Sequence, residues 1–150
     1  MRVGLISDTH DLLRPGARDF LRGCERILHA GDVCGPAVLC ELAELAPVVA
    51  VRGNNDRGEW AAALREEEVL DIGGVRVLMI HDLKRLGAVP TGTRVVISGH
   101  SHRPKVEEQG GVLYVNPGSA GPRRFKLPIS LGELLVEGGK VSARIVELSP

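Results

Sequence analysis

Three short apolar runs, each closed by a cluster of small and polar residues, constrain this chain more than any other feature. Residues 3–6 run into Ser7-Asp8, residues 26–29 into Ala30-Gly31-Asp32, and residues 48–51 into Gly53-Asn54-Asn55-Asp56. Apolar runs this short, bounded by turn residues, read as buried strands. Between them lie two stretches at helical spacing. Residues 14–23 carry Pro15 near the first turn and Phe20 and Leu21 on one face; residues 36–45 are stopped by Pro47. Proline suits a first helical turn and ends a helix from beyond it. Strand, helix, strand, helix, strand implies parallel strands joined by right-handed crossovers.

The rest of the chain changes rhythm. Residues 69–72 and 75–80 flank Gly73-Gly74; residues 104–108 and 112–115 flank Gly110-Gly111; residues 129–136 and 141–148 flank Gly138-Gly139. Two glycines between extended segments signal a tight hairpin. Residues 94–97 form a further buried strand that ends at Ser98-Gly99-His100. Segment lengths and flanks differ, so no repeat architecture is implied. The expectation is an α/β fold, one 150-residue domain of two packed sheets covered by helices.

Potential ligands gather at the carboxyl ends of these strands: Asp8 and His10, Asp32, Asn54, His81, and the pair His100 and His102. Ligands bind at that edge of open α/β sheets. Imidazoles and carboxylates suit divalent Mn²⁺, Zn²⁺ or Fe²⁺. Seven donors exceed the about four of a tetrahedral zinc site. They suit two ions about 3.5–4 Å apart sharing a carboxylate, which clamp a phosphoryl group for in-line attack by a deprotonated bridging water.

Asp8-Thr9-His10, Gly31-Asp32, Gly53-Asn54-Asn55-Asp56, His81 and Gly99-His100-Ser101-His102 stand in the order of the calcineurin-like metallophosphoesterase superfamily, and the sequence resembles that family along nearly its whole length. His29-Ala30 and Asn116-Pro117-Gly118-Ser119 make it look like the small bacterial and archaeal phosphodiesterase branch. The resemblance implies a four-layer α-β-β-α sandwich. It implies Asp8, His10 and His102 on a first metal, Asn54, His81 and His100 on a second, and Asp32 bridging them. Mn²⁺ is the expected cofactor, with Zn²⁺, Fe²⁺ and Ni²⁺ also suited. Catalysis is assigned to Asp32, Asn54, Asn55 and His100. Two positions depart from the pattern. Asn55 stands where many members carry a histidine that assists the leaving group; an amide can donate a hydrogen bond but no proton near neutral pH. Diesters with good leaving groups are therefore expected over monoesters. Asp82 follows His81 where the family usually shows H-G-H.

Other residues have plainer readings. His29 is expected to be structural, Glu66-Glu67-Glu68 a solvated run at a helix end, and Trp60 and Phe20 core. Asn116 to Ser119 is either a Pro-Gly turn or a loop shaping the metal site. Arg123 is the candidate phosphate ligand with Arg124 beside it, and at least one of the two is expected to face solvent. The three cysteines are odd in number and lack a C-x-x-C spacing, which argues against disulfides and points to buried thiols in a reducing cytosol. Zero formal charge and 3% aromatic residues give no nucleic-acid signal. No apolar run is long enough for a membrane span and no leader is evident, so a cytoplasmic protein is expected, acting on a small phosphate ester, with a homo-oligomer left open. The competing function is a scaffold of the same fold for protein assembly. Filled ligand positions favour the enzyme.

Overall fold

The computed structural model describes residues 1–149. Its first sheet is built on β1 (Arg2–Ile6), flanked by β2 (Arg26–His29) and then β3 (Val48–Ala50), all parallel. The connections carry α1 (Pro15–Leu21) and α2 (Pro36–Ala43), each with proline in its first turn. The chain's last hairpin, β9 (Ile129–Glu137) and β10 (Lys140–Leu148), completes this sheet, with β9 antiparallel to β1. A short α3 (Glu59–Ala62) leads to the second sheet. There β4 (Glu67–Ile72) pairs antiparallel with β5 (Val75–Ile80), and β5, β6 (Thr93–Ile97) and β8 (Val112–Asn116) run parallel, with β7 (Lys105–Gln109) on the edge. Glu67 and Glu68 therefore open a strand rather than close a helix. At all three Gly-Gly turns both glycines have positive φ, the geometry a two-residue hairpin needs and L-residues resist.

Period-two burial explains the layering. Val3, Leu5, Leu28 and Leu134 of the first sheet face Val77, Met79, Val95, Ile97 and Val115 of the second, forming one core between the sheets. On the other side of the first sheet, Ile6, Ile27 and Leu131 pack against Ala17 and Leu21 of α1 and Val38 and Leu42 of α2, with Phe20 and Trp60 at the margin. Gly4 faces Leu21 and Cys24, so a side chain there would push α1 off the sheet. This is the expected sandwich of two mixed sheets, with an uneven fourth layer. The outer face of the second sheet (Leu78, Ile80 and Val96, with Val112 and Tyr114 of β8) is covered by Leu86 and Val89, following only one 3₁₀ turn, Leu83–Arg85. Edge strand β7 is exposed throughout and carries Lys105, Glu107 and Glu108, charges that discourage edge-to-edge pairing. Among the described residues no helix is long and apolar enough to cross a membrane.

Each sheet thus contributes three parallel strands. The turns after β1, β2, β3, β5 and β6 carry the seven expected ligands, while β8 ends at Asn116.

Candidate metal centre

Asp8 lies at the middle of the site and is fully buried. Its Oδ2 accepts hydrogen bonds from Ser7 Oγ at 2.7 Å and from the His100 backbone N–H at 3.1 Å. Its Oδ1 has no hydrogen-bond partner. Three imidazoles surround that oxygen: His102 Nε2 at 3.4 Å, His81 Nε2 at 3.9 Å and His10 Nε2 at 4.0 Å. Asp32 sits beside it, its Oδ2 3.4 Å from His81 Nε2 and 3.7 Å from His10 Nε2. That carboxylate stands between His10 and His81. On the second side, Asn54 Oδ1 is 3.0 Å from His81 Nε2 and 3.1 Å from His100 Nδ1.

The backbone is held in an uncommon conformation to achieve this. Asp8, His10, Asp32, His100 and His102 all have positive φ, between 46° and 70°. For residues other than glycine this costs ~1–3 kcal/mol each, and such outliers gather at functional sites. Two further polar atoms besides Asp8 Oδ1 are buried here without a partner, His10 Nε2 and His102 Nδ1. An unsatisfied buried acceptor costs about 1–3 kcal/mol. Several such atoms in one pocket describe a cradle for cations. Asp8, His10 and His102 present ligand atoms close enough to share one ion, as do Asp8, Asp32 and His81.

The electrostatics agree. Burial opposes ionisation of Asp32, but hydrogen bonds from His81 and Asn55 outweigh it and hold the carboxyl well below the usual range. Burial likewise opposes charge on His81, yet its hydrogen bond to Asp32 and the charges of Asp8 and Asp32 raise its pKa. Burial lowers the pKa of His10 despite Asp32 and Asp8, with Arg124 acting in the same direction as burial.

A supporting layer fixes these ligands. His81 Nδ1 donates to the Ala30 carbonyl at 2.7 Å, which turns Nε2 toward the site. Asp56 is buried and accepts three backbone N–H groups, from Asp32 at 3.0 Å and from Gly53 and Cys34 at 2.8 Å each, tying two ligand loops together. Asn116 Nδ2 donates to the Gly99 carbonyl at 3.0 Å and to Ser101 Oγ at 3.1 Å, and Ser119 Oγ donates to the Asp8 carbonyl at 3.0 Å. The segment from Asn116 to Ser119 therefore does shape the site. His29 is structural as expected. It is fully buried, accepts from the Gly31 N–H at 3.1 Å, and its other nitrogen lies 3.0 Å from Thr9 Oγ1. Burial pushes its pKa down to about 4. Asp56, Ser7 and Cys34 are supports to which sequence reasoning gave no role. The one signal available for Asp56 was its place closing Gly53-Asn54-Asn55-Asp56.

Three expectations meet a different arrangement. Asn55 does lie at the site, but both its backbone N–H and its Nδ2 are given to Asp32, at 2.9 Å each. Arg123 is exposed, and its Nε donates to the Leu127 carbonyl of its own loop at 3.3 Å; Arg124 is the cation whose charge reaches His10. Among the cysteines only Cys24 is buried; Cys34 is partly buried and Cys40 exposed. Beside the centre, Arg52, Asn54, Glu66, His81, Asp82 and Arg85 line a cleft of about 230 Å³.

A buried dicarboxylate ringed by imidazoles at the ends of parallel strands defines a metal-dependent phosphoesterase centre. The chain belongs to the calcineurin-like phosphoesterase superfamily, whose domain model matches residues 1–138. It is 36% identical to a probable metallophosphoesterase of Methanothermobacter thermautotrophicus, over 97% of this chain and 92% of that protein. Its fold matches the solved structure of an archaeal phosphodiesterase with a TM-score of 0.77 and 25% identity, covering 97% of this chain and all of that one. Vps29 of Entamoeba histolytica in complex with Zn²⁺ shares the fold, with a TM-score of 0.75 at 24% identity over 98% of this chain and 99% of that one. The chain is a hydrolase of phosphate esters, and its family uses divalent metal ions.

Proposed function

We propose that this protein hydrolyses small phosphodiesters, in preference to monoesters, at a centre of two divalent cations. The observation that carries the reading is the pair of buried ligand atoms without protein partners, Asp8 Oδ1 and His10 Nε2, with the Asp32 carboxylate beside His10 and His102 Nε2 3.4 Å from Asp8 Oδ1. Asp8, His10 and His102 hold one ion, Asn54, His81 and His100 the other, and Asp32 both. An oxygen and imidazole donor set suits Mn²⁺ first, and Zn²⁺, Fe²⁺ and Ni²⁺ next. When bound, the cations supply Lewis acidity to the phosphoryl oxygens and to the attacking water.

The chain's own residues set the selectivity. Asp32 is held by Asn55 and, through its backbone, by Asp56, so its position is fixed before substrate arrives. Asn54 and His100 border the open side of the centre and orient the ester. Asn55 supplies a hydrogen bond but no proton, so the leaving group departs unprotonated by this residue and good leaving groups are favoured. The adjoining cleft takes the second substituent of a diester; a monoester has nothing to place there. The similarity to an archaeal phosphodiesterase supports the same preference. A scaffold role would leave the buried ligand atoms unpaired to no purpose, since a binding surface needs none of them.

The test is direct. Protein stripped with a chelator is assayed on bis(p-nitrophenyl) phosphate and on p-nitrophenyl phosphate, with and without Mn²⁺. Loss on stripping, recovery with Mn²⁺ and faster diester turnover are expected. Activity indifferent to both chelator and metal would refute hydrolysis at this centre.

A further inference from the structure

The partner of His10 is a thiol. Cys34 Sγ lies 3.5 Å from His10 Nδ1 and 3.9 Å from the Asn55 carbonyl oxygen, to which its S–H can be given. The geometry points to Cys34 as a positioning residue of the metal centre: its sulfur accepts the Nδ1–H of His10 and thereby fixes the tautomer that turns the Nε2 lone pair toward Asp8 and Asp32.

A neutral imidazole carries one proton, and which nitrogen holds it is set by the hydrogen bond the other atom can make. On His10, Nε2 is buried with no hydrogen-bond partner, 4.0 Å from Asp8 Oδ1 and 3.7 Å from Asp32 Oδ2. Nδ1 has Cys34 as its partner. A proton on Nε2 would meet the carboxylate oxygens only at 3.7 and 4.0 Å, beyond hydrogen-bond distance, and leave Nδ1 facing a poor donor. A proton on Nδ1 completes a chain from imidazole to sulfur to the Asn55 carbonyl. That chain links the loop after β1 to the loop after β3. The sulfur is itself held in place: the Cys34 backbone N–H donates to Asp56 Oδ1 at 2.8 Å, and its φ is 65°. Its S–H faces the Asn55 carbonyl and leaves the sulfur lone pairs toward His10 Nδ1. His81 solves the same problem with the Ala30 carbonyl; His10 uses a side chain.

The tautomer can be read without metal, so the result is separate from whether the two-cation reading of the function holds. Long-range ¹H–¹⁵N spectra of the metal-free protein near neutral pH should show His10 protonated on Nδ1. Cys34→Ala should move it to the Nε2–H form or a mixture, and Cys34→Ser, whose hydroxyl accepts and donates, should restore Nδ1–H. In parallel, Mn²⁺ affinity read by electron paramagnetic resonance should fall ~10–100-fold in Cys34→Ala. Cys34→Ser should recover most of it. A wild-type His10 found as the Nε2–H tautomer overturns the proposal. So does a Cys34→Ala protein that keeps Nδ1–H, whatever its Mn²⁺ affinity.

Discussion

The two sides of the metal centre are built on opposite plans. On the first, Asp8, His10 and His102 all sit on left-handed backbone, and each has a buried atom without a protein partner. On the second, Asn54 and His81 have ordinary φ and His100 alone is left-handed, and the Asn54 amide oxygen lies within hydrogen-bond distance of both His81 and His100. The first side is strained and unsatisfied until a cation arrives; the second satisfies itself and its His100 side chain is 45% exposed. A preorganised, desolvated cradle gains more from a cation than one that must first give up its own hydrogen bonds. The first side should therefore hold its ion more tightly, and the second should load and unload more readily.

The largest effect expected is at Asp32, the residue proposed to be common to both sides. Asp32→Asn removes the shared charge and should lower diester turnover at least ~10²-fold, several kcal/mol of lost charge stabilisation. Near-normal turnover would mean the sides do not share this carboxylate. The next concerns what underpins the rigid side. His29 stays neutral in the fold with its pKa pushed down to about 4, against about 6.5 unfolded. A base with a depressed folded pKa stabilises fully above the unfolded value. That stability is lost as pH falls from about 6.5 to about 4, by up to ~3 kcal/mol. Denaturant titrations of the metal-free protein should show this slope, and His29→Asn should flatten it. An unchanged slope in the variant would remove His29 as its source. The comparison itself is broken or kept by Mn²⁺ titrations. Asp8→Asn should weaken the tighter of two binding steps ~10–100-fold, whereas Asn54→Ala should weaken only the looser one. Equal effects on both steps would show that the sides are equivalent.

The same contrast explains what the sequence could and could not convey. The strands, their order in the first half and the Gly-Gly hairpins were legible because periodicity and turn chemistry are local. The gathering of the seven candidate ligands at one edge was legible because each follows a strand and the motifs keep their order along the chain. The strain was not: Asp8, Asp32 and His102 look like ordinary polar residues, and only tertiary contacts force their positive φ. Asp56 was quoted as part of a motif without a role, since its three backbone partners include Asp32 and Cys34, more than 20 residues away. The direction of Arg123 was not legible, because side-chain type says nothing of direction on a loop; it turns back to Leu127. The thin outer layer of the second sheet was also hidden. The segment between β5 and β6 reads as a connection, and the sequence does not reveal that little else covers Leu78, Ile80 and Val96.

Asn55 is the residue at which the comparison can be sharpened most, with the smallest effect. Its Nδ2 and its backbone N–H both bind Asp32, so it holds the carboxylate that joins the two sides. Asn55→His would exchange an amide donor for a group able to deliver a proton near neutral pH. If the side chain reaches the leaving group, monoester turnover should rise relative to diester turnover by ~2–10-fold, well short of the ~10²–10⁴-fold of a fully positioned general acid. Loss of the Nδ2 hydrogen bond would at the same time lower both rates through Asp32, so the ratio, measured with matched p-nitrophenyl esters, is the quantity that decides. A ratio that stays constant while both rates fall would assign Asn55 wholly to the support of Asp32 and take it away from the substrate.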